Sequence, residues 1–177
     1  MILPIKIGIV TASDRCSRGE RQDESGTLLR TLVERVSGEV IAYRVVPDDK
    51  ERIQKVLCHM ADKFFCDVVF TTGGTGLSPR DQTPEATKEI IEKEIPGIAE
   101  AVRMESQRET KFAMLSRAVA GIRGKTLIIN LPGSPKAVLD AFNVLEPVLL
   151  HAVELIRGEV EDCQKSLHSL HSHSSSH

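Results

Sequence analysis

The apolar, β-branched run Val68 to Thr72 ends in Gly73-Gly74-Thr75-Gly76, and a helix-start signature follows at Thr83-Pro84. A second copy of the arrangement lies downstream. Thr126 to Leu131 runs into Pro132-Gly133-Ser134-Pro135, where a serine stands ready to cap a helix opened by proline. Each unit reads as a buried strand, a tight glycine-containing loop and a capped helix. A chain built from such units alternates strands with helices. The fold class this predicts is a three-layer α/β sandwich, with a mainly parallel central sheet flanked by helices.

The glycine loop is also the leading candidate site. Three glycines in four residues permit backbone angles that a Cβ disfavours and let N–H groups turn toward an anion. The bland alternative, a strand-to-helix turn with no ligand, accounts for the glycines but not for Arg80 and Asp81 just beyond them. Two familiar phosphate loops are excluded by counting. Pro79 stands where a dinucleotide fingerprint needs its third glycine, and Val119 where a P-loop ending at Gly124-Lys125-Thr126 needs its first.

The rest of the chain fits the same alternation. Ile5 to Thr11 reads as a first strand, followed by a polar loop from Ser13 to Asp23. Leu28, Leu29, Leu32, Val33 and Val36 recur at helical spacing, with Gly38 as the expected stop. Val40 to Val46 is a second strand closed by Pro47-Asp48-Asp49, and either aspartate suits the cap of the next helix. Ile53, Val56, Leu57, Met60, Ala61 and Phe64 form an amphipathic stripe that leaves His59 off it, a solvated residue rather than a metal ligand. A third helix is predicted from Thr83, as cap, to Glu94. Pro96-Gly97 interrupts, and Ile98 to Arg108 is again helical. Periodicity assigns no role to Phe112 to Arg117, while Ala118 to Arg123 reads as a short strand or an edge hairpin. From Ala137 to Ile156 a long apolar face is bent or broken at Pro147. Gly158 ends the fold, so residues 1–158 form one domain and residues 159–177 a polar, His/Ser-rich tail expected to be disordered.

Composition narrows the function classes. A net charge of −2, no Trp, one Tyr and five Phe in 177 residues give neither a basic surface nor stacking platforms for nucleic acid. No apolar run reaches membrane-spanning length, and the first ten residues lack the pattern of a secretory signal. Cys16, Cys58, Cys66 and Cys163 show no paired or metal-ligand spacing. Reduced thiols and a cytoplasmic location are therefore expected. Cys16 reads as an ordinary loop residue.

Several stretches together resemble one family. They are Thr11 to Arg15 (Thr-Ala-Ser-Asp-Arg), Val46-Pro47-Asp48, Thr71 to Thr87, Met114-Leu115-Ser116-Arg117 and Gly121 to Ser134. In this order they resemble the molybdopterin adenylyltransferases of molybdenum cofactor synthesis, the MogA/MoaB family, to which the N-terminal domain of gephyrin is related. The resemblance spans about residues 5–158. It implies an enzyme that adenylylates the terminal phosphate of molybdopterin from Mg-ATP and releases pyrophosphate. It also implies Mg²⁺ as cofactor, a homotrimer, and hand-over of product to a molybdenum-insertion protein.

Carried over residue by residue, the resemblance gives Asp48 and Asp81 as catalytic and metal-positioning carboxylates. It gives Gly73, Gly74, Thr75, Gly76, Met114, Leu115, Pro132, Gly133 and Ser134 as nucleotide contacts. Thr11, Ser13, Asp14 and Ser116 become contacts to the pterin or its phosphate. A hard divalent cation takes one or two carboxylates plus substrate oxygens, in keeping with such a pair. Within the same fold, the insertion enzyme is the rival. Its Gly-Gly-Val-Ser loop followed by Gly-Asp-Tyr-Asp differs from the Gly-Gly-Thr-Gly and Pro-Arg-Asp found here. A rival of another class is a pterin-binding or scaffold module without turnover.

Overall fold

The computed structural model describes residues 4–159. Residues 160–177 fall outside that range, and with them Cys163 and the reading of the histidine-rich tail. The elements run β1 Ile5–Ala12, α1 Asp14–Ser17, α2 Glu24–Leu32, β2 Gly38–Val46, α3 Lys50–Asp62, β3 Val68–Thr72, α4 Thr83–Lys88, β4 Lys93–Glu94, α5 Pro96–Glu109, β5 Ala120–Arg123, β6 Thr126–Leu131 and α6 Pro135–Arg157. Short 3₁₀ turns follow α2 at Val33–Val36 and α5 at Lys111–Leu115.

The six strands form one sheet in the order β2-β1-β3-β6-β5-β4. The first four are mutually parallel, and β5 and β4 are added antiparallel. Side chains of a strand point alternately to opposite faces, and the two cores separate accordingly. Ile5, Ile7, Ile9, Val68, Phe70, Leu127 and Ile129 face α2, α5 and α6, packing on Leu29, Val102, Phe142 and Leu145. Val10, Ala12, Val69 and Ile128 face the other way, onto Ile53, Leu57 and Met60 of α3 and Ala86 of α4. This is the expected three-layer sandwich. With both faces covered, β3 and β6 are buried along their whole length, which is why apolar residues stand on both faces, and their buried polar members Thr71, Thr72, Thr126 and Asn130 hydrogen-bond inside the protein.

Several boundaries differ from the sequence reading. The third helix stops at Lys88 instead of Glu94. Lys93 and Glu94 pair with Ile122 and Gly121, and Glu92 N–H reaches the Ile122 carbonyl, so ladder bonding overrides helical preference. Ala120–Arg123 forms an antiparallel hairpin with β6, and β4 lies outside it at the sheet edge. Pro96 opens α5 and does not separate two segments, because proline lacks only an N–H that the first helical turn leaves unused. The stop before β2 is Ser37, at φ 55°, and Gly38 already belongs to the strand. Helix α6 runs unbroken through Pro147, held by the apolar face that carries Val138, Phe142, Leu145, Leu149 and Val153. At its far end Arg157 bonds Asp67 at 2.7 and 3.0 Å, and the Gly158 cap closes the helix.

His59 is exposed and packs edge-on against Phe64. Cys16, Cys58 and Cys66 are free thiols, and burial pushes the Cys66 thiol up to about 12, which leaves it inert.

Candidate active site

The parallel strands β1, β2, β3 and β6 all end at one edge of the sheet, and the loops leaving them meet there. Beyond β3, Gly73 and Gly74 take φ of +88° and +66°. Neither position has room for a side chain. A Cβ on Gly73 would lie 2.3 Å from the Ala12 carbonyl oxygen, and one on Gly74 would lie 2.3 Å from Thr83 Oγ1 and 3.3 Å from Asp48 Oδ1. The strand end is pinned to its neighbour by Thr72 Oγ1, which donates to the Pro132 carbonyl at 2.7 Å. Beyond the end of the ladder, the N–H groups of Gly74, Thr75 and Gly76 donate to no acceptor among the described residues, so the loop keeps these donors for something else.

Thr83 is not the cap of α4. Gln82 holds that place without a side-chain bond, and Thr83 N–H donates to the Gly74 carbonyl at 3.1 Å. Its hydroxyl is buried against the loop with no partner.

Asp48 and Asp49 have separate tasks. Asp49 caps α3 through Arg52 N–H at 2.9 Å. Asp48 is thereby left free to face the site, where its Oδ2 accepts Asp14 N–H at 2.9 Å while its own N–H donates to Asp14 Oδ1 at 3.1 Å. Arg80 grips Asp14 with two bonds, at 3.0 and 2.8 Å, and holds that carboxyl below its ordinary range. Asp48 lacks such a partner. Burial pushes its pKa up, and the charges of Asp14 and Asp81 push in the same direction.

Asp81 lies across the loop. Its Oδ2 accepts Ser78 N–H at 2.9 Å and would sit 2.9 Å from a Cβ on Gly76. Arg117 fixes this side: Nε donates to the Gly76 carbonyl at 2.8 Å, Nη2 to the Asp81 carbonyl at 2.6 Å, and Nη1 to Glu85. Its N–H also donates to the Thr75 carbonyl at 2.9 Å.

Two cavities flank the loop. One, of about 370 Å³, is polar and is lined by Thr11, Ser13, Asp23, Ser25, Gly73 and Ser134 among others. The second, of about 280 Å³, is almost wholly apolar and lies between Thr75, Gly76, Val102, Phe112, Leu115 and Pro132. The residues singled out from the sequence divide between them. Thr11, Ser13, Gly73, Gly133 and Ser134 line the polar cavity; Thr75, Gly76, Leu115, Ser116 and Pro132 line the apolar one. Ser116 is therefore with the apolar group and away from Thr11 and Ser13. Asp14, Asp48, Gly74 and Asp81 form the cluster between α1, β2 and the loop. Met114 lines neither cavity and is exposed.

Sequence reasoning did not single out Asp23, Ser25 and Arg103, which line the cavities, or Arg117, which fixes the loop. Asp23 caps α2 through Gly26 N–H, and Ser25 Oγ donates to the Gly133 carbonyl at 2.7 Å. Arg103 bonds the Ser116 and Ala118 carbonyls. Only Arg117 carried a signal, as the last residue of the Met-Leu-Ser-Arg stretch.

A hard divalent cation fits this donor set. Asp48 and Asp81 are close enough for one charge to raise the other's pKa, and neither has a cationic partner within bonding distance. The described residues contain no group of three or more His, Cys, Asp or Glu able to enclose a metal, so remaining ligands would come from substrate and water.

Comparison with known proteins decides the family. Residues 8–151 match the family described as a probable molybdopterin binding domain. The chain belongs to that family. A molybdopterin adenylyltransferase of Helicobacter pylori (strain J99) is 43% identical over 156 residues, covering 87% of this chain and 89% of that protein. The molybdenum cofactor synthesis protein cinnamon of Drosophila melanogaster is also 43% identical, over 163 residues and 92% of this chain. There the match spans only 27% of the longer fly protein. Among solved structures, the molybdopterin biosynthesis enzyme MoaB of Thermus thermophilus superposes with a TM-score of 0.83 at 49% identity, covering 87% of this chain and 97% of that one.

Proposed function

We propose that the chain is a molybdopterin adenylyltransferase, acting in molybdenum cofactor synthesis. The terminal phosphate oxygen of molybdopterin attacks the α-phosphorus of ATP, the bond to the β,γ-unit breaks, and pyrophosphate leaves with the electron pair. The observation that carries this reading is the placement of a donor-rich loop between a polar and an apolar cavity, with Asp48 and Asp81 beside it. Transfer between two anions is chiefly a matter of positioning and charge, and these features answer both needs.

The uncommitted N–H groups of Gly74, Thr75 and Gly76 hold the nucleotide phosphates. The apolar cavity beside Leu115 and Pro132 takes the adenine, and the polar cavity beside Thr11 and Ser13 takes the pterin. Asp48 and Asp81 hold Mg²⁺, which when bound offsets the repulsion between the two phosphate groups. Arg80 keeps Asp14 engaged so that Asp48 remains available. The working protein is a homotrimer in the cytoplasm and passes its product to a molybdenum-insertion protein. Among the described residues no helix is long and apolar enough to cross a membrane.

Incubation with molybdopterin and Mg-ATP, following pyrophosphate and adenylylated product, tests the activity. Asp81→Asn should keep the fold, since an amide oxygen still accepts Ser78 N–H, while release of pyrophosphate falls by about two orders of magnitude or more. Near-normal release would remove Asp81 from the mechanism, and pterin binding without any product from the unaltered chain would favour the scaffold reading.

A further inference from the structure

The polar cavity contains a carboxylate where a phosphate-bearing ligand is expected. Asp23 sits on its wall, half-buried, near Thr11. An anion in a site that receives another anion is unfavourable unless the ligand also brings donors to it. Other residues on the wall of the same cavity have the chemistry a phosphate needs. They are Ser134, at the N-terminus of the 23-residue helix α6, and Arg21.

The bonds of Asp23 define what its end accepts. Oδ2 receives the Thr11 hydroxyl at 2.6 Å and the Tyr43 hydroxyl, and Oδ1 receives Gly26 N–H at 2.9 Å. A carboxylate offers about four lone-pair positions, so one remains, on Oδ1. Thr11 Oγ1 has given its only proton to Asp23 and can now only accept. Tyr43 is held as the protonated donor, because burial, with the bond to Asp23 acting in the same direction, raises its pKa. Asp23 Oδ1 and Thr11 Oγ1 are therefore left as acceptors on this wall.

We propose that Asp23, with Thr11 beside it, is the specificity-determining residue of this cavity and reads the donor edge of a 2-amino-4-oxo-pteridine through its 2-amino group and N3–H. Adenine is refused here, since its edge sets the donor of the 6-amino group next to the acceptor N1. The inference rests on the assignment of this cavity to the pterin and adds the group that selects it. A purely structural role, capping α2 and tying β1 to β2, would explain the three bonds already present but would not need the residue to stand on the wall of a cavity.

Isothermal titration with 6-hydroxymethylpterin and 6-hydroxymethyllumazine, which carries a 2-oxo group in place of the 2-amino group, reads the contact directly. The unaltered chain should prefer the pterin by about tenfold or more, the worth of one charge-assisted bond. Asp23→Asn should reduce that preference to less than about twofold. Tyr43→Phe removes one partner of Asp23 without touching the cavity lining, and it should keep the preference even if it melts earlier. Equal binding of the two pteridines by the unaltered chain, or a preference surviving in Asp23→Asn, would overturn the assignment. Turnover of molybdopterin by a chain that shows no such preference would sink this inference alone, whereas a clear preference without turnover would sink the transferase reading alone.

Discussion

Replacing Gly73 by alanine separates the shape of the loop from its chemistry. The substitution has two consequences. At φ +88° an alanine bears roughly 1–2 kcal/mol of left-handed backbone strain. Its Cβ also meets the Ala12 carbonyl oxygen at 2.3 Å, and overpacking against a fixed backbone adds about 1–3 kcal/mol. A total near 3 kcal/mol lowers Tm by about 6–12 °C in a chain of this size. Against a typical stability of about 5–15 kcal/mol, more than about 95% of the protein stays folded at 25 °C. Turnover should nevertheless fall about a hundredfold, because relief of the clash moves the amides proposed to hold the phosphates by a fraction of an ångström to 1 Å. The control is Gly124→Ala in the β5–β6 hairpin, at φ +57° with nothing within 4 Å of the added carbon. It bears only the conformational strain, so Tm should drop by about 2–8 °C with unchanged turnover. Thermal unfolding and pyrophosphate release on both variants decide the matter. If Gly73→Ala melts no earlier than Gly124→Ala, or retains full turnover, the close approach of the loop to β1 does not govern the site.

The raised pKa of Asp48 gives a pH signature. A carboxyl whose folded pKa lies above its ordinary value of 3.8 destabilises the fold when ionised, and that effect disappears as pH falls through the folded pKa toward 3.8. Asp48→Asn should therefore be more stable than the parent at pH 7 and no more stable below about pH 3.8, as thermal melts across that window would show. An equal difference at both ends would contradict the assigned burial and charge repulsion. Arg117→Ala should lose about 1–3 kcal/mol of stability by leaving the Gly76 and Asp81 carbonyls without their donor, and turnover should fall with it. Unchanged pyrophosphate release by that variant would free Asp81 from any dependence on Arg117.

Local chemistry made much of the fold legible before any coordinates. Val68–Thr72 and Thr126–Leu131 declare themselves because strands covered on both faces are largely apolar and rich in β-branched residues, and Ser134-Pro135 marks a helix start by capping geometry alone. Lys93 and Glu94 gave no such sign. Their strand exists only because β5 offers free backbone groups at the sheet edge, which no local preference records. The same division holds at the site. Gly73 and Gly74 stand out by composition, and the aspartates and serines beyond the strands by resemblance to a family. The division of those residues between two cavities depends on side-chain direction, and so does the exposure of Met114.

Asp23 shows where sequence alone stops. In one dimension it is a polar residue before a helix, and a cap explains it fully. Only the packing of β1 beside β2 brings Thr11 and Tyr43 onto one of its oxygens, and only the folded loop sets it on the wall of a cavity. The sequence determined the alternation of strands and helices, because backbone angles and apolar periodicity act over a few residues. The tertiary structure decided which distant carboxylates, hydroxyls and amides share a site, because bonds between residues far apart in the chain depend on the register of the strands that carry them.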